Sequence, residues 1–122
     1  MKFNRANIED KTRLVVAALE DIKARDIAVL DTSKLTSLFE RMVIASGDSN
    51  RQTRALADNV REKVKEAGEH VGGMEGEESG DWVLLDLGEV IVHVMLPAVR
   101  AHYNLEELWG AGEAARARKA TS

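Results

Sequence analysis

Two apolar runs on either side of Gly88 and Glu89 constrain the fold more than any other feature of the sequence. The runs, Trp82 to Leu87 and Val90 to Met95, are rich in aliphatic and β-branched residues, which strands favour. A two-residue connection that contains glycine is typical of a tight hairpin. The sequence therefore predicts an antiparallel hairpin.

The register of this hairpin divides its side chains between two faces of the sheet, because side chains alternate along a strand. One face would be entirely aliphatic, with the pairs Leu87 and Val90, Leu85 and Val92, and Val83 and Val94. The other face would be mixed, with the pairs Trp82 and Met95, Leu84 and His93, and Asp86 and Ile91. We expect the first face to meet the helices and the second to be partly free. A slip of one residue would exchange the two faces.

The remaining apolar patterns place other elements around the hairpin. Helical spacing predicts helices over residues 7–23 and 50–67, and Pro97 begins a third that runs to about Tyr103. Shorter runs predict strands over residues 27–30, 41–46 and, weakly, 70–74, with a turn of helix over 34–40. The order α-β-β-α-β-β-β-α predicts a single α/β domain over residues 1–110, with a mixed sheet of about five strands and helices mainly on one face. Residues 111–122 are predicted to be a disordered tail.

Composition limits the partners of such a domain. The chain has 122 residues, a net charge of -4 and no cysteine. An acidic domain is a poor match for a phosphate backbone, so we expect little direct contact with nucleic acid. No apolar run approaches the ~20 residues that span a bilayer, and the first residues lack a signal peptide's apolar region. We therefore expect a cytoplasmic protein that makes no membrane contact.

An acidic loop precedes the hairpin. Between Gly68 and Met95 the chain has no Lys or Arg, yet it carries seven carboxylates. An apolar patch that is rimmed by acids marks a protein interface more often than a catalytic pocket. We therefore predict that Trp82 is the centre of a docking surface for a basic protein. The candidate acidic contacts are Glu75, Glu77, Asp81 and Asp86. The alternatives are that Trp82 packs in the core or under the C-terminal segment, and that the loop is merely solvated.

The sequence shows no complete active site. His70, His93 and His102 do not have the spacing of metal ligands, and His93, among valines, is interpreted as a satisfied strand histidine. The turn at residues 46–49 fits a helix cap by Ser49 or Asn50 better than an anion site. Nucleotidyl transfer would need an Asp-x-Asp pair on the strand after the helix, and none is present there. No catalytic residue, cofactor or metal is predicted.

From about Ile8 to Gly110 the sequence resembles the ribosomal silencing factor family, also called iojap-like proteins, because a series of short motifs occurs in the same order. These landmarks are Asp26-Ile-x-x-Leu-Asp31, Met42-Val-Ile-Ala-Ser-Gly47, Ser49-x-Arg51, Ala57-Asp58, Gly73-x-Glu75-Gly76-Glu77, Asp81-Trp82, Asp86-Leu-Gly88-x-Val-Ile-Val-His-Val-Met95, Arg100, Tyr103, Leu105, Glu106, Leu108 and Trp109. Asp48 departs from the family, whose members more often have a small uncharged or hydroxyl residue there.

The resemblance implies a nucleotidyltransferase-like topology without that class's catalytic residues. It also implies binding to the large ribosomal subunit through its fourteenth protein, a basic protein at the intersubunit face. Members of the family block joining of the small subunit and so lower translation when nutrients are scarce, and some aid large-subunit assembly. Isolated members can form homodimers. Arg100 and Tyr103 would extend the docking surface. The alternatives are a nucleotide-dependent transferase and a structural homodimer joined at the Trp82 face.

Overall fold

A five-stranded sheet with helices on both faces organises the computed structural model, which describes residues 5–109. The elements in chain order are α1 (Arg5–Asp21), β1 (Arg25–Asp31), β2 (Arg41–Ser46), α2 (Asn50–Glu66), β3 (Gly73–Glu75), β4 (Trp82–Asp86), β5 (Val90–Met95), α3 (Pro97–Tyr103) and α4 (Leu105–Leu108). Within the described range, no helix is long and apolar enough to cross a membrane. The predicted tail, residues 111–122, lies outside the described residues.

The sheet is mixed, as predicted, with strand order β1-β2-β5-β4-β3. Strands β2 and β5 are parallel, and the other three neighbouring pairs are antiparallel. The hairpin register is confirmed, since Trp82 pairs with Met95 and Leu84 with His93. Gly88 has a φ of +86°, a conformation that residues with a side chain rarely adopt. Its N–H donates to Asp86 Oδ1 at 2.8 Å. This turn fixes which hairpin side chains share a face.

The ends of α2 follow from local chemistry. The Ser49 hydroxyl accepts a hydrogen bond from the Gln52 N–H, so Ser49, one of the two predicted candidates, is the cap, and Asn50 is the first residue of the helix. Gly68, just past the helix, has a φ of +81°, a conformation common where helices stop. By contrast, α1 begins at Arg5, two residues before the predicted start. Residues 34–40 form no helical segment, in contrast to the predicted turn of helix. Instead, the N–H groups of Leu35 and Thr36 donate to the Thr32 carbonyl and form a turn.

The two long helices cover the aliphatic face of the hairpin, as predicted. Val15 and Leu19 of α1 and Leu56 and Val60 of α2 are completely buried there. The same cluster includes the hairpin residues Val83, Leu85, Leu87, Val90, Val92 and Val94. This is the main core of the domain.

The opposite face has a smaller core that the sequence did not predict. Val99, Leu105 and Trp109, from α3 to the end of α4, pack with Phe39 over apolar side chains of β1, β2 and β5. The expectation of helices mainly on one face therefore holds for the long helices only. The short helices cover half of the second face and leave the β4 and β3 half open.

Candidate docking surface

The open half of the second face carries an apolar surface, which we call the β4 face and define by Trp82, Leu84, Ile91 and Tyr103. Trp82, Leu84 and Ile91 are half-buried, while Tyr103 is 54% exposed. An open depression of about 240 Å³ lies beside them and is lined by Glu75, Gly76, Trp82 and Leu84. The β4 face is thus apolar at its centre and acidic at its margin.

Two neighbouring side chains hold the Trp82 indole. Its Nε1–H donates to His93 Nδ1 at 2.9 Å. The Tyr103 ring packs on it with a centroid separation of 4.9 Å and an interplanar angle of 47°. Trp82 also touches the smaller core, so the alternative that it packs under the C-terminal segment is partly correct. The indole is therefore both a core contact and a surface group.

The four candidate acids are all exposed, but they lie at different places. Glu75 pairs with Leu84 across β3 and β4 and lines the depression. Asp86 lies at the far end of β4, where its carboxylate accepts from the Gly88 N–H. Asp81 accepts a hydrogen bond from the Asn50 side chain and so joins the loop to α2. Glu77 lies in the loop between β3 and β4. Glu75 is therefore the acid best placed to meet a partner at Trp82.

Arg100 is not a surface residue, so the expectation that it extends the docking surface is wrong. It is only 5% exposed, and its guanidinium forms two bonds to the Glu106 carboxylate, at 3.0 and 3.2 Å. Its Nη1 also donates to Ser46 Oγ at 2.9 Å. These bonds join α3 and α4 to the end of β2. Arg100 thus affects the β4 face only by positioning the helix that carries Tyr103.

His93 is a satisfied strand histidine, as predicted, and is 8% exposed. Burial lowers the pKa of its imidazole to about 4, because the charged form loses its hydration. The ring is therefore neutral near pH 7 and can accept at Nδ1. Sequence reasoning missed its bond to Trp82, although the predicted register places the two residues diagonally across the hairpin.

The described residues offer little for metal chemistry. Residues 5–109 contain no group of three or more His, Asp or Glu side chains placed to hold a metal ion. The Asp48 carboxylate, at the turn between β2 and α2, is paired with Arg25 at 2.8 Å. That turn presents a helix cap and an ion pair.

The Gly76 turn holds Glu75 beside Trp82 and cannot accept a side chain. Its φ is +87°, and a Cβ there would lie 2.0 Å from the Trp82 carbonyl oxygen. We expect Gly76→Ala to lower the free energy of unfolding by about 2 kcal/mol, as measured by urea denaturation. Gly73→Ala is the matched control, because a Cβ at Gly73 has no heavy atom within 4 Å. Equal losses in the two variants would contradict this prediction.

Fold and surface together define a small mixed α/β domain with one apolar, acid-rimmed face. The family model described as "Ribosomal silencing factor during starvation" matches residues 5–122, and the chain belongs to this ribosomal silencing factor family. A Chromobacterium violaceum protein named "Ribosomal silencing factor RsfS" is 62% identical over 103 residues, which are 84% of this chain and 84% of that protein.

Two further comparisons agree with this assignment. A Mus musculus protein named "Mitochondrial assembly of ribosomal large subunit protein 1" is 31% identical over 99 residues, which are 79% of this chain and 43% of that protein. A crystal structure of a Chromobacterium violaceum protein matches with a TM-score of 0.84 and 60% identity, covering 87% of this chain and 88% of the other. The fold and the sequence pattern therefore lead to the same family.

Proposed function

We propose that this protein binds the large ribosomal subunit through the fourteenth protein of that subunit and prevents the small subunit from joining. Translation would fall as a result when nutrients are scarce, and the same contact could aid large-subunit assembly. The observation that carries the proposal is the Trp82 indole, held at an open depression whose margin includes Glu75. The names of the relatives, which refer to ribosomal silencing and to large-subunit assembly, support the large subunit as the partner.

The chemistry of the β4 face fits a basic protein partner. Large aromatic side chains in a partly desolvated site commonly dominate binding energy. Carboxylates at the margin attract Lys and Arg and speed the encounter. With a net charge of -4, the chain as a whole favours a basic protein over bare RNA. Blocking would then be steric and would need no chemistry, and we place the protein in the cytoplasm with the ribosomes.

Sucrose-gradient sedimentation of ribosomal subunits under joining conditions tests the proposal directly. We expect the protein to sediment with large subunits and the peak of joined ribosomes to fall as protein is added. Normal joining, with the protein remaining at the top of the gradient, would refute direct silencing. Two copies that pair through the β4 face would compete with docking. The gradients should therefore be repeated at several protein concentrations.

Removing the indole should weaken this binding. We expect Trp82→Ala to weaken binding to the large subunit by about 2 kcal/mol, or about thirtyfold in Kd, as for a hot-spot aromatic. Fluorescence anisotropy of a labelled protein with purified large subunits measures the change. Leu35→Ala, which truncates a 54% exposed leucine in the loop between β1 and β2, is the matched control. If a folded Trp82→Ala protein binds the large subunit normally, Trp82 is not part of the docking surface.

A charge reversal separates the effect of charge at the β4 face from the effect of the protein's overall charge. Glu75→Lys changes an exposed residue at the depression, whereas Glu62→Lys changes an exposed residue of α2 on the other side of the sheet. Only the first should slow association, and its effect should shrink as salt is raised. Equal effects would indicate that overall charge, not the β4 face, determines binding.

Nucleotide transfer is the less favoured function. A nucleotidyltransferase-like topology would place the triphosphate at the turn between β2 and α2. Here the Ser49 hydroxyl already accepts from a helix N–H, and the Asp48 carboxylate beside it is paired with Arg25. The cap competes with a triphosphate for the helix N–H groups, so we infer that the fold serves as a scaffold for docking.

A further inference from the structure

We propose that His93 is a positioning residue for docking, which fixes the orientation of the Trp82 indole before the partner arrives. The inference rests on the proposed function, because it gives His93 a role at the same surface. It goes further by assigning that role to a side chain which is itself buried. The carrying observation is the hydrogen bond from Trp82 Nε1 to His93 Nδ1 at 2.9 Å.

The register of the hairpin makes this bond possible. Trp82 pairs directly with Met95, and His93 pairs with Leu84, so the two rings are diagonal neighbours on one face. Aromatic side chains are long enough to meet across such a diagonal. The ring centroids are 5.8 Å apart, and the indole N–H edge points at the imidazole nitrogen. The contact is therefore directional and selects one orientation of the indole.

The surroundings of His93 keep its acceptor in place. The imidazole lies in a row between Ile44 of β2 and Leu84 of β4, and only 8% of it is exposed. A buried side chain in such a row has little freedom to rotate. An imidazole that accepts at Nδ1 carries its proton on Nε2. The lowered pKa of His93 keeps Nδ1 unprotonated, and so able to accept, near neutral pH.

Tyr103 completes the arrangement from another direction. Its ring packs on the indole at 4.9 Å, while His93 binds the N–H edge. An indole held in this way loses little conformational freedom when a partner covers it. A freely rotating side chain would be ordered on binding, at an entropic cost that weakens affinity. Removal of the acceptor should therefore weaken docking by about two- to tenfold.

The test compares His93→Leu, which removes the acceptor, with His93→Asn, whose amide oxygen lies near the position of Nδ1. Both are made in a Trp109→Phe background, which leaves Trp82 as the single tryptophan. The first readout is the indole N–H resonance and its exchange rate in ¹⁵N-labelled protein. We expect His93→Leu to shift the resonance and speed exchange, and His93→Asn to restore both. This readout needs no ribosome.

The second readout is the Kd for purified large subunits, measured with and without Trp82→Phe, which removes the donor. We expect His93→Leu to weaken binding two- to tenfold when Trp82 is present and to have no further effect in Trp82→Phe. Equal weakening in both backgrounds would overturn the inference, because His93 would then act through the fold alone. Thermal unfolding of each variant checks the fold, and His93→Met replaces His93→Leu if the leucine variant does not fold.

The outcomes separate this inference from the proposed function. If Trp82→Ala weakens binding but His93→Leu does not, docking stands and the positioning role is refuted. If neither change affects binding, the proposed docking surface is wrong, and His93 has no positioning role there whatever the indole resonance shows. A shifted resonance together with weakened binding that depends on Trp82, and is restored by His93→Asn, supports the inference.

Discussion

Arg100→Ala should lower the free energy of unfolding by roughly 3–5 kcal/mol, the largest effect expected of any substitution considered for this protein. The guanidinium is the buried partner of Glu106, and both side chains are 5% exposed. Removing it leaves a carboxylate in the interior without its counter-ion, and it also removes the donor to Ser46 Oγ. Urea denaturation with circular dichroism gives the free energy directly.

The matched control for Arg100→Ala is the double variant Arg100→Met with Glu106→Leu. Replacing a whole buried ion pair by apolar groups of similar size is often nearly neutral, whereas breaking the pair is not. We therefore expect the double variant to recover most of the lost stability. If Arg100→Ala is as stable as the wild type, the ion pair is not formed in solution as described.

The same pair couples stability to the β4 face. Asn104, with a φ of +48°, makes the corner between α3 and α4, and its N–H donates to the Arg100 carbonyl at 2.8 Å. The corner brings Glu106 back onto the guanidinium and leaves Tyr103, at the end of α3, against Trp82. Loosening the corner should therefore disturb the β4 face even though Arg100 itself is buried.

Much of the fold could be predicted because its signals are local. Strands β2 and β5 have the predicted bounds, as does α3. The hairpin register followed from a two-residue turn and from alternation, both of which are properties of adjacent residues. The weak strand predicted over residues 70–74 is observed at Gly73–Glu75. Its glycines give no alternation, so the pattern could not locate it accurately.

The remaining features depend on contacts between distant parts of the chain. The Lys11 ammonium is buried and donates to the Leu87 carbonyl at 2.8 Å and to Glu89 at 2.6 Å, which ties α1 to the hairpin turn. Nothing in the helical pattern of α1 marks that lysine as different from a solvated one. Arg100 was misplaced for the same reason, since its burial arises only when α4 folds back over it.

In the candidate site too, some features could be predicted from the local sequence and others depend on contacts between distant residues. Trp82 and the acids were found from composition and alternation. The bond from Trp82 to His93 and the packing of Tyr103 depend on side-chain orientation and on the path of α3 over the sheet. A sequence pattern carries neither. The open half of the second face likewise became visible only once the short helices were placed on the other half.

Acid should weaken the fold through His93 by roughly 3 kcal/mol between pH 6.5 and pH 4. Burial lowers the pKa of His93 from 6.5 to about 4 in the folded protein, so the unfolded chain binds more protons between these values. Stability contributed by the neutral imidazole is therefore fully present above about pH 6.5 and is lost as the pH falls towards 4. Urea denaturation at a series of pH values measures this slope, which approaches 1.4 kcal/mol per pH unit.

Carboxylates also titrate near pH 4, so the test is the difference between the wild type and His93→Asn. Asparagine cannot gain a proton, so between pH 6.5 and pH 4 the His93→Asn variant should lose roughly 3 kcal/mol less unfolding free energy than the wild type. His102→Asn replaces an exposed histidine and controls for the loss of a histidine in general. If His93→Asn loses stability with acid as steeply as the wild type, His93 is not held neutral by burial. Nδ1 of His93 would then be protonated on mild acidification, and the hydrogen bond from the Trp82 indole would be lost within the physiological pH range.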